Sequence, residues 1–318
     1  MIKDVLYLPS GRIFISDLNG YIIESTEMRD VAVDGKLHKI VRETQDPQVI
    51  WKHLVPYKEK WLLTVSTQRG CIHNCQFCDV APLPFKGNLT RDEILDQVIS
   101  ILKNTPYVTQ SNKVKIGFAR MGEPAWNVEN VLDAMKLLPQ ISEHQGRDFK
   151  WLPCFNTILP RKANVLSQVI DFKESTYDGR LHLQISCNST DENKRKELFG
   201  GADVITLPEI VSEVNKQKIT SRTVTLNFIV MQGVEVSVGK LKKMGLRGDK
   251  FTVKLIPLNS TNNAKGNELK TVANYSNYDK LIEIGNQFRE AGVPVVIDAI
   301  AKCEEAGLCC GQLAQIYL

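Results

Sequence analysis

Hydrophobic and polar positions repeat along this chain with two periods, which divide it into elements. A period of two marks a strand with one buried face. It runs through Val114, Ile116 and Phe118, through Leu181, Leu183 and Ile185, and through Val224, Leu226, Phe228 and Val230. With the apolar stretches around them, these predict strands at 62–66, 113–119, 151–156, 181–186, 223–230 and 251–256. Helical spacing fills the intervals. Ile94, Leu95, Val98, Ile99 and Leu102 form one apolar stripe behind Thr90-Arg91-Asp92-Glu93, which reads as a capping box. Further helices are predicted at 127–138, 162–171, 190–198, 206–217, 237–245 and 277–291. Before residue 61 the pattern is of short β-type pieces, 12–16 and 21–23, set off by the turn signals Pro9-Ser10-Gly11 and Asn19-Gly20.

Strand–helix alternation repeated six times predicts an α/β fold with a parallel sheet, open or closed into a barrel. Chemistry in such folds gathers at the carboxyl ends of the strands. The expected organisation is a small β-rich region over 1–60, a strand–helix domain over 61–300 and a tail over 301–318. The polar stretch 259–271 reads as a surface loop.

Composition narrows the class without naming a partner. The 318 residues are 43% hydrophobic and 24% charged, a globular balance that excludes disordered and fibrous chains. A formal charge of +4 argues neither for nor against nucleic acid. No apolar run approaches the roughly 20 residues of a membrane span, and the first residues lack a signal-peptide pattern. The expectation is a cytoplasmic chain, independent of membranes, whose thiols stay reduced. Its eight cysteines are clustered, with three at 71–78 and three at 303–310.

Directly after the strand 62–66 comes Gly70-Cys71-Ile72-His73-Asn74-Cys75-Gln76-Phe77-Cys78. Three thiols at CxxxCxxC spacing in one tight loop can converge on a metal centre. Structural zinc usually takes four protein ligands, and ferredoxin clusters take four thiolates. Three thiolates leave one iron of a [4Fe–4S] cube open to a substrate or cofactor. His73, flanked by two ligands, is expected to point outward. A zinc knuckle or inert buried cysteines are the plainer alternatives.

The loop and the strand before it resemble the radical SAM superfamily. That resemblance implies a partial (β/α)6 barrel, a [4Fe–4S] cluster held by Cys71, Cys75 and Cys78, and S-adenosylmethionine chelated at the open iron. In the superfamily, reductive cleavage then gives methionine and a 5′-deoxyadenosyl radical. Met121-Gly122-Glu123-Pro124 matches a Gly-Glu motif, in which Gly122 lets backbone approach and Glu123 accepts from the cofactor ammonium. Ser186 and Asn259, polar residues at strand ends, suit carboxylate or ribose contacts, with turn-capping as the alternative.

The resemblance extends to the RlmN/Cfr family of RNA methyltransferases over residues 48–314. Ser66-Thr67-Gln68-Arg69-Gly70-Cys71, Phe85-Lys86-Gly87-Asn88-Leu89-Thr90 and Arg120-Met121-Gly122-Glu123-Pro124-Ala125-Trp126-Asn127 carry it, as does Cys310-Gly311-Gln312-Leu313 in the tail. In that family the tail thiolate, here Cys310, takes a methyl group from one S-adenosylmethionine. A radical made from a second then activates the methyl for attack on an sp2 carbon of adenine in RNA (tRNA or rRNA). A reductant such as flavodoxin or ferredoxin is implied. The chain departs from the family in three places, one of them the segment 302–309 before the tail tetrapeptide, which lacks the family's Arg-Gly and its following Ile. Thr64 stands where the second family cysteine belongs, and a hydroxyl cannot serve as resolving thiol. The N-terminal region is also short for the family's helical RNA-binding module. Cys303 and Cys309 are candidate replacements for the missing thiol; a second metal site formed with Cys310, or inert cysteines, are the alternatives. The alternative is a diverged radical SAM enzyme acting on a small molecule, nucleoside or peptide, and a metal-binding module without catalysis is a third reading. Cys154 and Cys187 read as core thiols, Phe85 and Trp126 as packing residues, and the basic runs at 194–196 and 240–243 as solvated helix faces.

Overall fold

The computed structural model describes residues 2–30, 48, 52–273, 277–298 and 313–317. The chain divides into two compact units, one of residues 1–72, 79–154 and 301–318, the other of 73–78 and 155–300. Cys303, Cys309 and Cys310 lie outside the described residues.

The first unit begins with an antiparallel meander, β1 (Ile2–Leu8), β2 (Gly11–Leu18) and β3 (Tyr21–Met28). Asn19 and Gly20 both take positive φ, 57° and 80°, in the two-residue turn that matches the twist of β2 and β3. The β1 strand, with its half-exposed pattern, has no counterpart in the sequence prediction. From β3 the sheet passes antiparallel to β4 (Trp61–Thr64), then parallel to β5 (Gln110–Gly117) and β6 (Asp148–Thr157). Helices α1 (Arg91–Lys103) and α2 (Val128–His144) cross between these parallel strands. The capping box of α1 forms as predicted, with Thr90 and Glu93 exchanging bonds. Ile94, Val98, Ile101 and Leu102 of α1 are fully buried. Helix α2 starts one residue later than expected, after a 3-10 turn over Pro124–Asn127.

In the second unit β7 (His182–Ser186), β8 (Val224–Val230), β9 (Phe251–Pro257) and β10 (Val295–Ile297) run parallel. The helices are α3 (Leu166–Thr176), α4 (Glu192–Leu198), α5 (Leu207–Lys216), α6 (Val238–Lys243), α7 (Asn262–Gly266) and α8 (Asp279–Glu290). Val224, Leu226 and Phe228 are fully buried, as their alternation predicted. The fold class is α/β, as expected. Two details differ. The short β10 was too brief to register in the pattern, and the supposed loop 259–271 contains α7, capped by the Thr261 hydroxyl on the Ala264 N–H. Arg195, expected on a solvated face, is fully buried. It donates to the Ile205 carbonyl at 2.6 Å and lies over the Phe199 ring.

Where β4 ends, the first unit loses a strand neighbour and replaces it with a side chain. Gln97 of α1 accepts from the Ser66 N–H at 2.8 Å and donates to the Ser66 carbonyl at 2.9 Å, so both backbone groups are satisfied away from water. Gln97→Leu strands both groups, at about 1–3 kcal/mol each. Urea unfolding is expected to show that loss, with Gln97→Glu, which keeps only the acceptor, falling between leucine and wild type.

Candidate cluster loop and its supports

The segment that leads into the cysteines is tied down on every side within the first unit. Thr67 donates its N–H to Met121 O at 2.8 Å, and Leu89 donates to Thr67 O at 3.0 Å. Asn127 bridges the Thr67 and Leu89 carbonyls at 2.8 and 2.7 Å. Gln68 accepts from the Glu123 N–H at 2.9 Å through Oε1 and donates through Nε2 to Asn88 Oδ1 at 2.7 Å. Arg69 pairs with Glu93. Gly122 must be glycine here: its φ is +101°, and a Cβ would sit 2.6 Å from the Gln68 Cβ. Gly70, at φ +75°, meets the Pro84 carbonyl as closely, and the Tyr21 hydroxyl donates to that carbonyl at 2.6 Å.

A buried charge organises this region. Glu24 of β3 is fully buried, and its Oε2 pairs with Arg120 Nη2 at 2.6 Å. Its Oε1 accepts from the Ala314 N–H at 2.7 Å, at the start of the tail helix α9 (Ala314–Tyr317). Its backbone carbonyl accepts from the Ser66 hydroxyl at 2.6 Å. Gln315 of the same tail helix donates to the Asp79 carbonyl at 2.6 Å, one residue beyond Cys78.

The cysteine loop itself, residues 73–78, packs with the second unit. Three successive carbonyls are held by the β9–α7 connection and α7: Cys75 O by Asn263 at 2.9 Å, Gln76 O by Asn267 at 3.1 Å, and Phe77 O by Thr261 at 2.9 Å. The Gln76 N–H donates to Leu198 O at 2.9 Å. Gly200, at φ +66°, lies against Asn74, whose carbonyl would be 2.1 Å from any Cβ there. Phe77 packs on Leu198, Met231, Leu258 and Ala264, and meets the Phe199 ring edge-on.

Cys71, Cys75 and Cys78 are half-buried and none is in a disulfide. Among the described residues no three His, Cys, Asp or Glu side chains are gathered as a metal-ion site. Burial lowers the His73 pKa below its ordinary value. Gly122 and Glu123 stand in the first unit. Glu123 is 5% exposed and its Oε1 accepts from the Ala125 N–H at 3.0 Å, capping the 3-10 turn. Ser186 is half-buried at the end of β7, opposite Asn227 of β8. Asn259 follows β9, two residues before Thr261. Its Oδ1 is buried without a hydrogen-bond partner among the described residues. Cys154 and Cys187 are core thiols, and burial pushes Cys187 up to about 12. Phe85, expected in the core, is 40% exposed instead.

No family model matches the chain. Among curated proteins it is 31% identical to the RlmN of Chlorobium phaeobacteroides, over 87% of this chain and 73% of that one. The chain belongs to the RlmN/Cfr-like radical SAM family. It is also 30% identical to the dual-specificity RNA methyltransferase RlmN of Helicobacter hepaticus, over 69% of this chain and 58% of that one. Against the RlmN of Aquifex aeolicus the identity is 27%, over 70% and 62%. The chain thus spans less than two thirds of the length of several relatives it matches. A radical SAM methyltransferase from Sphaerobacter thermophilus shares the fold, with a TM-score of 0.67 at 19% identity, over 98% of this chain and 80% of that one.

Within this RlmN/Cfr-like chain, Thr64 stands where the family resemblance calls for a second cysteine. Its hydroxyl shares a 2.6 Å hydrogen bond with that of Thr26 on β3. Glu24, Gln68, Thr261, Asn263 and Asn267 support the site; the sequence reading quoted Gln68 only within a matching stretch and named none of the others. Only the unusual polarity of 259–271 carried a signal. Two outcomes follow. Glu24→Gln leaves Arg120 buried without its counter-charge and is expected to cost about 3 kcal/mol in urea unfolding. Iodoacetamide at pH 8 is expected to label Cys71, Cys75 and Cys78 in metal-free native protein but not Cys187, as read by peptide mass spectrometry.

Proposed function

We propose that this chain is a radical SAM methyltransferase that binds a [4Fe–4S] cluster through Cys71, Cys75 and Cys78 and methylates an sp2 carbon of adenine in RNA by way of Cys310. The observation that carries the proposal is the tethering of the Cys75, Gln76 and Phe77 carbonyls by Asn263, Asn267 and Thr261. With its backbone oxygens occupied, the loop offers thiols as its metal-binding groups. The donor set fits such a cluster: three half-buried thiols, no disulfide, and no fourth cysteine in the loop. Thiols close on a metal as it arrives, so their convergence is coupled to loading. A bound cluster would supply the electron that cleaves S-adenosylmethionine to methionine and a 5′-deoxyadenosyl radical.

The chain's own residues have separable roles in this reading. Glu123, through a carboxylate oxygen, and Asn259, through its unpartnered Oδ1, accept from the ammonium or ribose hydroxyls of S-adenosylmethionine. Gly122 keeps that approach clear of a side chain, and Ser186 donates to the carboxylate. Glu24 and Asp79 hold the tail through Ala314 and Gln315. Cys310 as thiolate takes the methyl group, and Cys303 or Cys309 replaces the thiol that Thr64 cannot supply. The electron comes from a flavodoxin or ferredoxin. No helix among the described residues is long and apolar enough to cross a membrane, and we place the reaction in the cytoplasm.

Reconstituted protein under dithionite is expected to form 5′-deoxyadenosine, and Cys75→Ala to abolish it. Mass spectrometry of the tail peptide is expected to find one added methyl on Cys310. An unmodified Cys310 in protein that does form 5′-deoxyadenosine would overturn the methyl shuttle and leave a different radical reaction on the same scaffold.

A further inference from the structure

The N-terminal meander carries a pocket that the reaction above does not use. It has a volume of about 240 Å³ and is lined by Tyr7, Ser10, Arg12, Arg29, Tyr57 and Tyr107, with Glu27 beside them. Tyr7, Arg12 and Glu27 are direct cross-strand partners on β1, β2 and β3, so one sheet face presents them in a row. Arg12 spends Nε on Glu27 at 2.8 Å and Nη1 on the Asn104 carbonyl at 3.0 Å. Its Nη2 is buried with no hydrogen-bond partner among the described residues. The Ser10 hydroxyl, on a residue only 2% exposed, is likewise without one. Two such polar atoms in the lining of one pocket are costly unless a ligand uses them.

The remaining lining says what kind of ligand. Arg29 donates to the Leu54 and Val55 carbonyls, and its guanidinium lies 4.9 Å above the Tyr57 ring. No carboxylate pairs with it among the described residues. Two guanidiniums against the single Glu27 carboxylate leave the pocket net positive. Tyr107 is 64% exposed and Tyr7 73%, large apolar faces left in water. Tyr107 meets Tyr57 edge-on at 5.9 Å, which fixes its ring. Aromatic faces beside guanidinium and hydroxyl donors are the means by which proteins hold an unpaired nucleotide, the base stacked and the phosphate bonded.

We propose that this pocket binds one unpaired nucleotide of an RNA strand, its base against Tyr7 and Tyr107 and its phosphate on Arg12 Nη2, Ser10 and Arg29. The pocket's chemistry calls for a nucleotide. The choice of a polymer over a free mononucleotide rests on the functional reading above.

The test is fluorescence anisotropy of a labelled, unstructured RNA 12-mer with the full chain. Tyr7→Ala/Tyr107→Ala is expected to weaken binding about tenfold or more, and Tyr7→Phe/Tyr107→Phe to restore it. Both rings are exposed, so neither pair should unfold the protein, and circular dichroism checks this. Equal affinity of wild type and the alanine pair would overturn the pocket. Adenosine monophosphate displacing the 12-mer at equal concentration would overturn the polymer assignment. Formation of 5′-deoxyadenosine in the same preparations reads the reaction separately and should be unchanged in the alanine pair. Wild type that makes 5′-deoxyadenosine but binds no RNA would overturn both the pocket and the RNA substrate, leaving the radical chemistry standing.

Discussion

Everything around the entry to the cysteine loop depends on one buried carboxylate. Glu24 has no contact with water, and the pairing with Arg120 and the backbone N–H of Ala314 make its burial tolerable. Those partners come from positions 120 and 314, and the Ser66 hydroxyl reaches the same residue's carbonyl. Three remote stretches of chain are thereby gathered on the middle of β3. A lysine or a leucine at position 24 could fill the volume but could not receive from all of them. The antiparallel meander, which looks peripheral in a parallel α/β fold, supplies the floor on which the reactive segments rest.

The cysteine loop shows a different solution to the same problem. Its thiols must be available, so the protein fixes the backbone between them. Asn and Thr side chains take the carbonyls of residues 75–77, and Phe77 anchors the loop in an apolar cluster. Ordering three residues costs about 1–2 kcal/mol each in backbone entropy. Here that cost is met during folding, before any ligand arrives.

What could be read from the sequence was local. The capping box at Thr90, the alternation in β8 and the Asn19-Gly20 turn all depend on residues a few positions apart, and each formed. The CxxxCxxC spacing and the tail tetrapeptide pointed to the family for the same reason. What escaped were pairings across long separations, Glu24 with Arg120 and Ala314, or Asn263 with Cys75. A polar residue in a strand or a loop gives no sign of its distant partner. Arg195 escaped because a basic run looks solvated until Phe199 and the Ile205 carbonyl close over its middle member. Ser186 and Asn259 were singled out by their expected places at strand ends, and those places are where they stand, at the end of β7 and just after β9.

The Thr26–Thr64 hydrogen bond has a bearing on how this chain relates to its relatives. It joins β3 to β4 at the point where the two strands meet edge to edge, with both hydroxyls used. A thiol at position 64 would be longer and a poorer hydrogen-bonding group, leaving the Thr26 hydroxyl short of its neighbour. The sheet therefore carries a structural preference for threonine at position 64, worth about the 0.5–1.5 kcal/mol of one hydrogen bond.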